Sequence, residues 1–305
     1  MIANPVPWPN GAKCAACVTF DMDADSLVHI AHPKDSHRKV ATTSMLQYGP
    51  EIAIPRIVET YRRLGIRQSF FIPAWCIERY PAAVETILEG GNEIGHHGYI
   101  HEHPNEISPE EEAHWLDTGI EIIKRATGKP PRGWRAPLYN MSDVSCTLLA
   151  ERGFNYDASL MGDDVPYVLE TSKGSLIELP THWGLDDWPQ FVQSEDLGYM
   201  GNIHPPSTGF EPYVQEFNAM KKYGGLWVAV VHPFATGRLA RWEVVANFLE
   251  KEVAAGDVWF APMEEIAEHV RKVTESGEYT PRRVSMPPYE SGVYPQAVAQ
   301  HRVTI

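Results

Sequence analysis

Short apolar runs alternate with amphipathic segments along most of this 305-residue chain. Apolar runs bounded by turn residues are typical of buried strands, and apolar residues spaced three and four apart are typical of helices. Strands that alternate with helices pair in parallel, so the alternation predicts an α/β fold on a parallel sheet. We predict strands at residues 15–20, 68–72, 92–94, 132–135, 155–159, 176–179, 226–231 and 258–260, and helices at residues 51–64, 81–89, 109–127, 142–152, 211–223, 241–255 and 263–274.

Side chains capable of chemistry recur just after the predicted strands. Asp21 and Asp23 follow the first strand, and His97, Arg135 and His232 follow later ones. A (β/α) barrel produces this distribution, because the loops at the carboxyl ends of its strands build the site. An open doubly wound sheet would show the same alternation, but no glycine-rich nucleotide loop follows the first strand.

The densest group of such residues is the segment GHHGYIHE at residues 95–102. His97 and His101 are four residues apart, and two neutral imidazoles at that spacing can bind one divalent ion if the backbone turns between them. Gly95 and Gly98 allow such a turn, because glycine adopts backbone angles that other residues avoid. Taken alone, the pair also fits an exposed polar loop.

A second group, at the end of the first predicted strand, strengthens the metal interpretation. Asp21, Asp23 and Asp25 occupy alternate positions there, where burial of uncompensated carboxylates would be costly. In an extended stretch, residues two apart project to the same side, so two of these carboxylates can face one site. One aspartate with two histidines forms an array that leaves coordination positions open, as a catalytic metal requires.

The combination of TFDMD at residues 19–23 with GHHGYIHE resembles the first two motifs of the polysaccharide deacetylase superfamily, also called NodB-like or carbohydrate esterase 4. The resemblance continues through WRAP at 134–137, DDW at 186–188 and VVHP at 230–233, and spans residues 15–267 in family order. It is greatest to the branch of peptidoglycan deacetylases and cyclic imide hydrolases. It implies a distorted (β/α) barrel of the NodB-homology type, commonly with seven strands.

The resemblance also implies roles for individual residues. Asp23, His97 and His101 match the metal ligands, with zinc expected and cobalt, manganese or nickel also compatible. Asp21 matches the base that takes a proton from water, and His232 the acid that protonates the departing nitrogen. The remaining matches are Arg135 as the partner of the base, and Asp187 or its neighbour Asp186 as the residue that orients His232. Apart from the resemblance, four aromatic residues are candidates for an apolar pocket: Trp134, Tyr139, Trp183 and Trp188.

Composition limits the partners and the compartment. The chain has 26 basic and 40 acidic residues, a net charge of −14, which disfavours binding to nucleic acid or to anionic membranes. The four cysteines include Cys14 and Cys17 in CxxC spacing, but no second pair completes a zinc site, so we expect core residues in a reducing compartment. The first residues do not resemble a signal peptide, so a cytoplasmic location is expected.

The sequence favours one function and leaves two open. We expect a metal-dependent hydrolase of non-peptide C–N bonds that removes N-acetyl groups from a saccharide. The alternatives are a hydrolase of small cyclic imides or ureides on the same scaffold, and a catalytically silent saccharide-binding protein. We divide the chain into an arm (1–13), the barrel (14–275) and a tail without regular structure (276–305). Residues 26–49 are expected to form a long loop and residues 181–210 a substrate-side excursion, and the arm and tail suggest a homo-oligomer, a dimer or tetramer.

Overall fold

The structure is a computed structural model that describes residues 1–289 and 291–292. Within this range the strands are β1 (Ala15–Asp21), β2 (Ser69–Ile72), β3 (Glu93–His96), β4 (Gly133–Trp134), β5 (Tyr156–Asp157), β6 (Tyr167–Thr171), β7 (Gly174–Glu178), β8 (Gln193–Ser194), β9 (Tyr199–Met200), β10 (Leu226–Val231), β11 (Trp259–Phe260) and β12 (Arg283–Ser285). The helices are α1 (Ser26–Ala31), α2 (Val40–Tyr48), α3 (Ile54–Leu64), α4 (Ala74–Arg79), α5 (Pro81–Glu89), α6 (Pro109–Thr127), α7 (Ser145–Glu151), α8 (Trp188–Phe191), α9 (Pro206–Tyr223), α10 (Pro233–Thr236), α11 (Leu239–Ala255) and α12 (Met263–Glu275).

Seven parallel strands form the wall of a barrel. Their order is β10, β1, β2, β3, β4, β5 and β7, and each pairs in parallel with the next. Between β7 and β10 isolated contacts complete the wall among the described residues: the Thr181 hydroxyl donates to the Val228 carbonyl at 3.0 Å, and Asp186 bridges to Val230. This confirms the predicted distorted (β/α) barrel with seven strands.

Side-chain alternation along β1 explains how carboxylates come to lie inside the barrel. All seven residues of β1 are buried, because one face points into the barrel and the other packs under helices. Val18 and Phe20 belong to the outer apolar layer together with residues of α3 and α11. The side chains of Thr19 and Asp21 point to the other face of β1, into the barrel. Both contact Arg135 across the interior.

Helix α6 begins and ends at the capping residues that the sequence predicts. Ser108 caps the helix by accepting a hydrogen bond from the Glu111 backbone N–H, and the Glu111 carboxylate accepts from the Ser108 N–H in return. Pro109 occupies the first turn, and Gly128 ends the helix at a φ of 80°. The predicted bounds of this helix are therefore confirmed.

Residues 26–49 are not the long loop that we expected. They contain α1 and α2, a 3-10 turn at Ser36–Arg38 and the start of a π turn at Gly49–Ala53 that leads into α3. Leu27 and Leu46 are buried in a cluster with Phe191 and Phe234, which lie far away in the sequence. Short helices gain most of their stability from such tertiary packing, so the local pattern did not reveal them.

Other regions also differ from the sequence prediction, among them the short helices α4 and α10, which were not predicted. The antiparallel strand β6 was not predicted, and α9 begins five residues before the expected start at 211. The excursion at 181–210 contains α8 and the hairpin β8–β9. The prediction of no regular structure after residue 275 is wrong for β12, which pairs with β6, and it cannot be compared with the structure at residue 290 or at 293–305, which lie outside the described residues.

Both segments that flank the barrel contact it. Trp8 is buried and donates from its indole nitrogen to the Gly224 carbonyl at 3.1 Å. Tyr279 is also buried, and its hydroxyl donates to the Pro166 carbonyl at 2.7 Å. The division into arm, barrel and tail stays a prediction. Among the helices of the described range, none combines the length and the apolar character needed to cross a membrane.

Candidate active site

The side chains singled out in the sequence meet at the carboxyl end of the barrel. Asp21 ends β1 and Asp23 follows it, His97 and His101 follow β3, Arg135 follows β4, and His232 follows β10. All six side chains are buried. Parallel strands place their carboxyl ends at the same edge, so residues separated by more than 200 positions become neighbours.

Asp23, His97 and His101 form a cluster with the composition of a metal site. Their nearest ligand atoms all lie within 4.8 Å of one another, with Asp23 Oδ1 3.3 Å from His97 Nε2 and Asp23 Oδ2 3.7 Å from His101 Nε2. Asp23 Oδ1 and His101 Nδ1 are buried and have no hydrogen-bond partner among the described residues. Unpartnered buried polar atoms are costly, and a cation at the centre of the cluster would satisfy the carboxylate. These residues fit a divalent ion.

Hydrogen bonds and burial also prepare both imidazoles to act as ligands. His97 Nδ1 donates to the Arg135 carbonyl at 2.8 Å, which leaves the Nε2 lone pair directed at Asp23. Burial lowers the pKa of His101 to about 3 despite the opposing effect of Asp23, so this ring is neutral. For His97 burial also lowers the pKa, but Asp21 and Asp23 outweigh it and raise the pKa on balance. A bound cation would take the place of that proton.

Asp21 is held by a buried arginine. Nη1 of Arg135 lies 2.6 Å from Asp21 Oδ1 and also donates to the Thr19 hydroxyl, while Nε donates to the Ala158 carbonyl. Burial alone would lower the Arg135 pKa, but the nearby Asp21 carboxylate raises it on balance. The guanidinium also stacks on Phe71, with its central carbon 4.2 Å from the ring centre. Asp21 therefore faces a fixed positive charge on one side and the metal cluster on the other.

His232 contacts Asp187, and Asp186 has different partners. His232 Nδ1 lies 2.6 Å from Asp187 Oδ1, and the backbone N–H of His232 donates to Asp187 Oδ2 at 3.0 Å. Burial lowers the pKa of His232, but Asp187 and Asp23 raise it well above the usual value on balance. Asp186 instead accepts from the Tyr139 hydroxyl and from the Trp188 N–H. Its own pKa is raised to about 6, chiefly by burial.

The site contains a cavity of about 510 Å³ with mainly apolar walls. Its lining includes Asp21, Asp23, His97, His101, Asp186 and His232, but not Arg135 or Asp187. Tyr139, Trp183 and Trp188 line it, whereas Trp134 is packed in the core beside Leu116 and lines a different cavity. Further residues that the sequence analysis did not single out also line it: Leu27, Ile30, Ala31, Glu102, His103, Glu106, Ile107, Ala136, Leu138, Leu197, Gly198 and Tyr199. Most of these lie on α1, on the hairpin β8–β9 or on loops whose approach to the site depends on tertiary packing.

The four cysteines do not line this cavity and behave as core residues, although Cys76 Sγ donates to the Asp23 carbonyl at 2.9 Å. All four are buried and unbridged, and burial raises the pKa of both Cys14 and Cys17 to about 12. A thiol with such a pKa is neither a ready nucleophile nor a ready metal ligand. The structure thus supports the interpretation that the CxxC spacing is incidental.

The molecule is a (β/α) barrel protein with a buried cluster of carboxylates and imidazoles at the carboxyl ends of its strands. Residues 34–156 match the family model described as polysaccharide deacetylase. The chain is 39% identical to a Mycobacterium smegmatis protein assigned to the polysaccharide deacetylases, whose crystal structure superposes with a TM-score of 0.87 over 94% of this chain and 99% of that one. The chain belongs to the polysaccharide deacetylase family, and this membership supports a hydrolytic enzyme that acts on C–N bonds.

The chain is also similar to two further proteins at lower identity. A peptidoglycan deacetylase of Helicobacter pylori is 27% identical over 251 residues, which cover 74% of this chain and 80% of the relative. The crystal structure of an allantoinase, PuuE, superposes with a TM-score of 0.76 at 21% identity, covering 91% of this chain and 96% of that one. The second likeness concerns the fold alone.

Proposed function

We propose that this protein is a metal-dependent amidohydrolase that removes N-acetyl groups from a saccharide. The observation that carries the proposal is the buried cluster of Asp23, His97 and His101 next to the pairs Asp21–Arg135 and His232–Asp187. An amide hydrolase needs a polarising centre, a base for water and an acid for the departing amine. Family membership supports the same reaction class.

Asp23, His97 and His101 would hold one divalent ion, for which we propose zinc, with cobalt, manganese and nickel as compatible substitutes. Such an ion would polarise the amide carbonyl and lower the pKa of a water molecule. Asp21 takes the proton from the attacking water, and the Arg135 guanidinium, with Nη1 2.6 Å from Asp21 Oδ1, holds this carboxylate in place.

His232 acts on the other side of the bond. Its Nδ1–H is fixed on Asp187, so Nε2 carries the second proton of the protonated ring. Nε2 lies 3.4 Å from Asp23 Oδ2, which directs it at the metal cluster. From there it donates the proton to the leaving nitrogen, because an amine is expelled far more readily as the neutral molecule.

A second candidate, hydrolysis of a small cyclic imide or ureide, rests on how one side of the cavity is held. Lys39 and Thr42, at the start of α2, contact the two carboxylate oxygens of Asp196 at 2.7 and 2.6 Å. Asp196 lies in the β8–β9 turn, directly before the cavity residues Leu197 and Gly198. These contacts hold the turn that carries Leu197 and Gly198 against the start of α2, and a side of the cavity fixed in this way suits a compact substrate.

The two candidates make different predictions for turnover. Purified protein loaded with Zn²⁺ should release acetate from N-acetylglucosamine oligomers under the first, and should open the ring of succinimide under the second. Asp21→Asn protein is the inactive control for both. If the first holds, Asp196→Ala should raise kcat/KM for long oligomers, because it releases the β8–β9 turn from the start of α2. Saccharide binding without turnover of either substrate would contradict both and indicate a silent binding protein.

We further propose a homo-oligomer and a cytoplasmic location, as the sequence suggests. Light scattering at micromolar concentration tests the first of these, and a mass near the 34.3 kDa of one chain would contradict it.

A further inference from the structure

The loop that presents His97 and His101 uses its backbone hydrogen-bonding groups on two sides. Its carbonyls at Gly98 and Tyr99 accept from the N–H groups of Ala74 and Trp75, in the first turn of α4. These bonds fix one side of the loop to the barrel wall. The N–H groups of residues 98–100 point the other way and require other acceptors.

Side chains from the same segment supply those acceptors. The Gly98 N–H donates to His96 Nδ1 at 3.1 Å. The carboxylate of Glu102 accepts the rest: Oε1 from Tyr99 at 2.8 Å, and Oε2 from Tyr99 at 2.9 Å and from Ile100 at 2.8 Å. Charge-assisted bonds from N–H groups to a carboxylate are stronger than neutral ones. Glu102 therefore holds the turn between the two histidines.

Gly98 provides the space for this arrangement. A Cβ atom at residue 98 would lie 3.0 Å from Glu102 Oε1 and 3.2 Å from Cδ and Oε2, closer than such atoms normally approach. The φ of Gly98 is 74°, which disfavours other residues as well. His101 itself has a φ of 69°, in the left-handed region that an L-residue enters only when its surroundings hold it there.

We propose that Glu102 is a positioning residue that holds the loop in its metal-binding conformation, through the space that Gly98 leaves for its carboxylate. The inference rests on the proposed metal site. Glu102 is not part of the Asp23, His97 and His101 cluster, and its oxygens are used by backbone N–H groups. It therefore acts on the ligands through the backbone between them.

Substitution of Glu102 by glutamine tests this role. The glutamine amide keeps the size of the side chain. In either orientation of the amide, its NH₂ group takes the place of an oxygen that accepts from a backbone N–H, so at least one of these hydrogen bonds is lost. Partners of this kind contribute about 10- to 100-fold to metal affinity. We expect Glu102→Gln to weaken Co²⁺ binding, followed by the visible absorption of the ion, by at least about tenfold. The melting temperature of the metal-free protein should change little, and kcat should recover at saturating Co²⁺.

Two matched controls separate this role from simpler effects. Glu106→Gln removes the same charge four residues further on, but the Glu106 side chain is exposed, and its one ion pair among the described residues is with the His103 imidazole, at 3.4 Å. Gly65→Ala introduces the same left-handed strain at a φ of 68°, where a new Cβ would have no neighbour within 4 Å. Both controls should bind Co²⁺ as tightly as the unmodified protein. Gly98→Ala should weaken Co²⁺ binding, and less so in Glu102→Ala protein, because the two residues act through one contact.

Equal Co²⁺ affinity in Glu102→Gln and Glu106→Gln would overturn the inference, and so would a lower melting temperature with unchanged affinity. A kcat that stays low at saturating Co²⁺ would also overturn it, because Glu102 would then act in the reaction itself. If Glu102→Gln does not fold, Gly98→Ala gives the same readout with the carboxylate retained. Failure of the unmodified protein to bind Co²⁺ would instead refute the proposed function.

Discussion

His232 and Asp187 form a buried pair in which Nδ1 of the imidazole lies 2.6 Å from Oδ1 of the carboxylate. Asp187 Oδ2 accepts from the His232 backbone N–H and from the Thr236 hydroxyl, so the carboxylate has a single orientation. A carboxylate fixed in this way sets the tautomer of its histidine and stabilises the protonated ring. The pair thereby determines which nitrogen of His232 faces the cavity.

Replacement of Asp187 by asparagine should impair catalysis without removing the metal. The amide cannot stabilise a protonated imidazole, so kcat should fall by about 10²- to 10⁴-fold. The control is Asp186→Asn, because Asp186 contacts Tyr139 and Trp188 and not His232. Asp186→Asn should lower kcat clearly less than Asp187→Asn does. Steady-state kinetics with parallel metal analysis measures both, and equal losses in the two variants would contradict the assignment of Asp187.

Removal of both histidines of the cluster should abolish metal binding. We expect one divalent ion per chain in the unmodified protein, and none in His97→Ala plus His101→Ala protein, because a single carboxylate is a weak site. His103→Ala is the matched control, since His103 lies in the same segment and lines the cavity outside the cluster. Elemental analysis after dialysis gives the stoichiometry. Retention of stoichiometric metal by the double variant would show that the ligands lie elsewhere.

The role of His232 as an acid predicts a change in the pH profile. The pKa of His232 is raised well above its usual value of 6.5, so the ring stays protonated at neutral pH. The proton is lost only as the pH rises through this raised pKa. The activity should therefore have an alkaline limb, which His232→Ala should remove while lowering kcat by about 10²- to 10⁴-fold. The leaving group of an ester needs less protonation than that of an amide. His232→Ala should therefore lower kcat less for an ester substrate than for an amide. Equal losses on both substrates with an intact alkaline limb would refute this role.

A pair of buried carboxyl groups predicts a pH-dependent stability that is separate from catalysis. Burial and the neighbouring Asp157 raise the pKa of Glu178 well above its usual value. A carboxyl group whose pKa is raised in the folded state stabilises the fold at low pH. This stabilisation begins to fall above the unfolded pKa of about 4.3, because only the unfolded chain then loses its proton readily.

Glu178→Gln removes the loss of stability at higher pH, because the amide is neutral at every pH. We expect the melting temperature of Glu178→Gln, relative to the unmodified protein, to increase between pH 5 and pH 8. Glu85→Gln, at an exposed position of α5, should show no such trend. Thermal melts followed by circular dichroism measure the difference, and a parallel pH dependence in all three proteins would be inconsistent with a protonated Glu178.

Much of the fold could be predicted from local patterns. β10 occupies the predicted range, and α6 has both the start and the end that Ser108 and Gly128 signal. Apolar runs, capping residues and terminal glycines within these segments are sufficient to predict them. Helices α1 and α2 do not, because their stability depends on Leu27 and Leu46 reaching Phe191 and Phe234 across the molecule.

The sequence by itself determined which side chains are available and where they lie along the chain. The spacing of Asp21 and Asp23 after β1, and of His97 and His101 after β3, was sufficient to predict that they would meet, because parallel strands end at the same edge. Only the tertiary structure decided that Asp187 rather than Asp186 contacts His232, that Trp134 faces the core and that Glu102 binds the loop backbone. Such choices depend on distances of a few ångströms between distant segments, which packing fixes and local spacing does not.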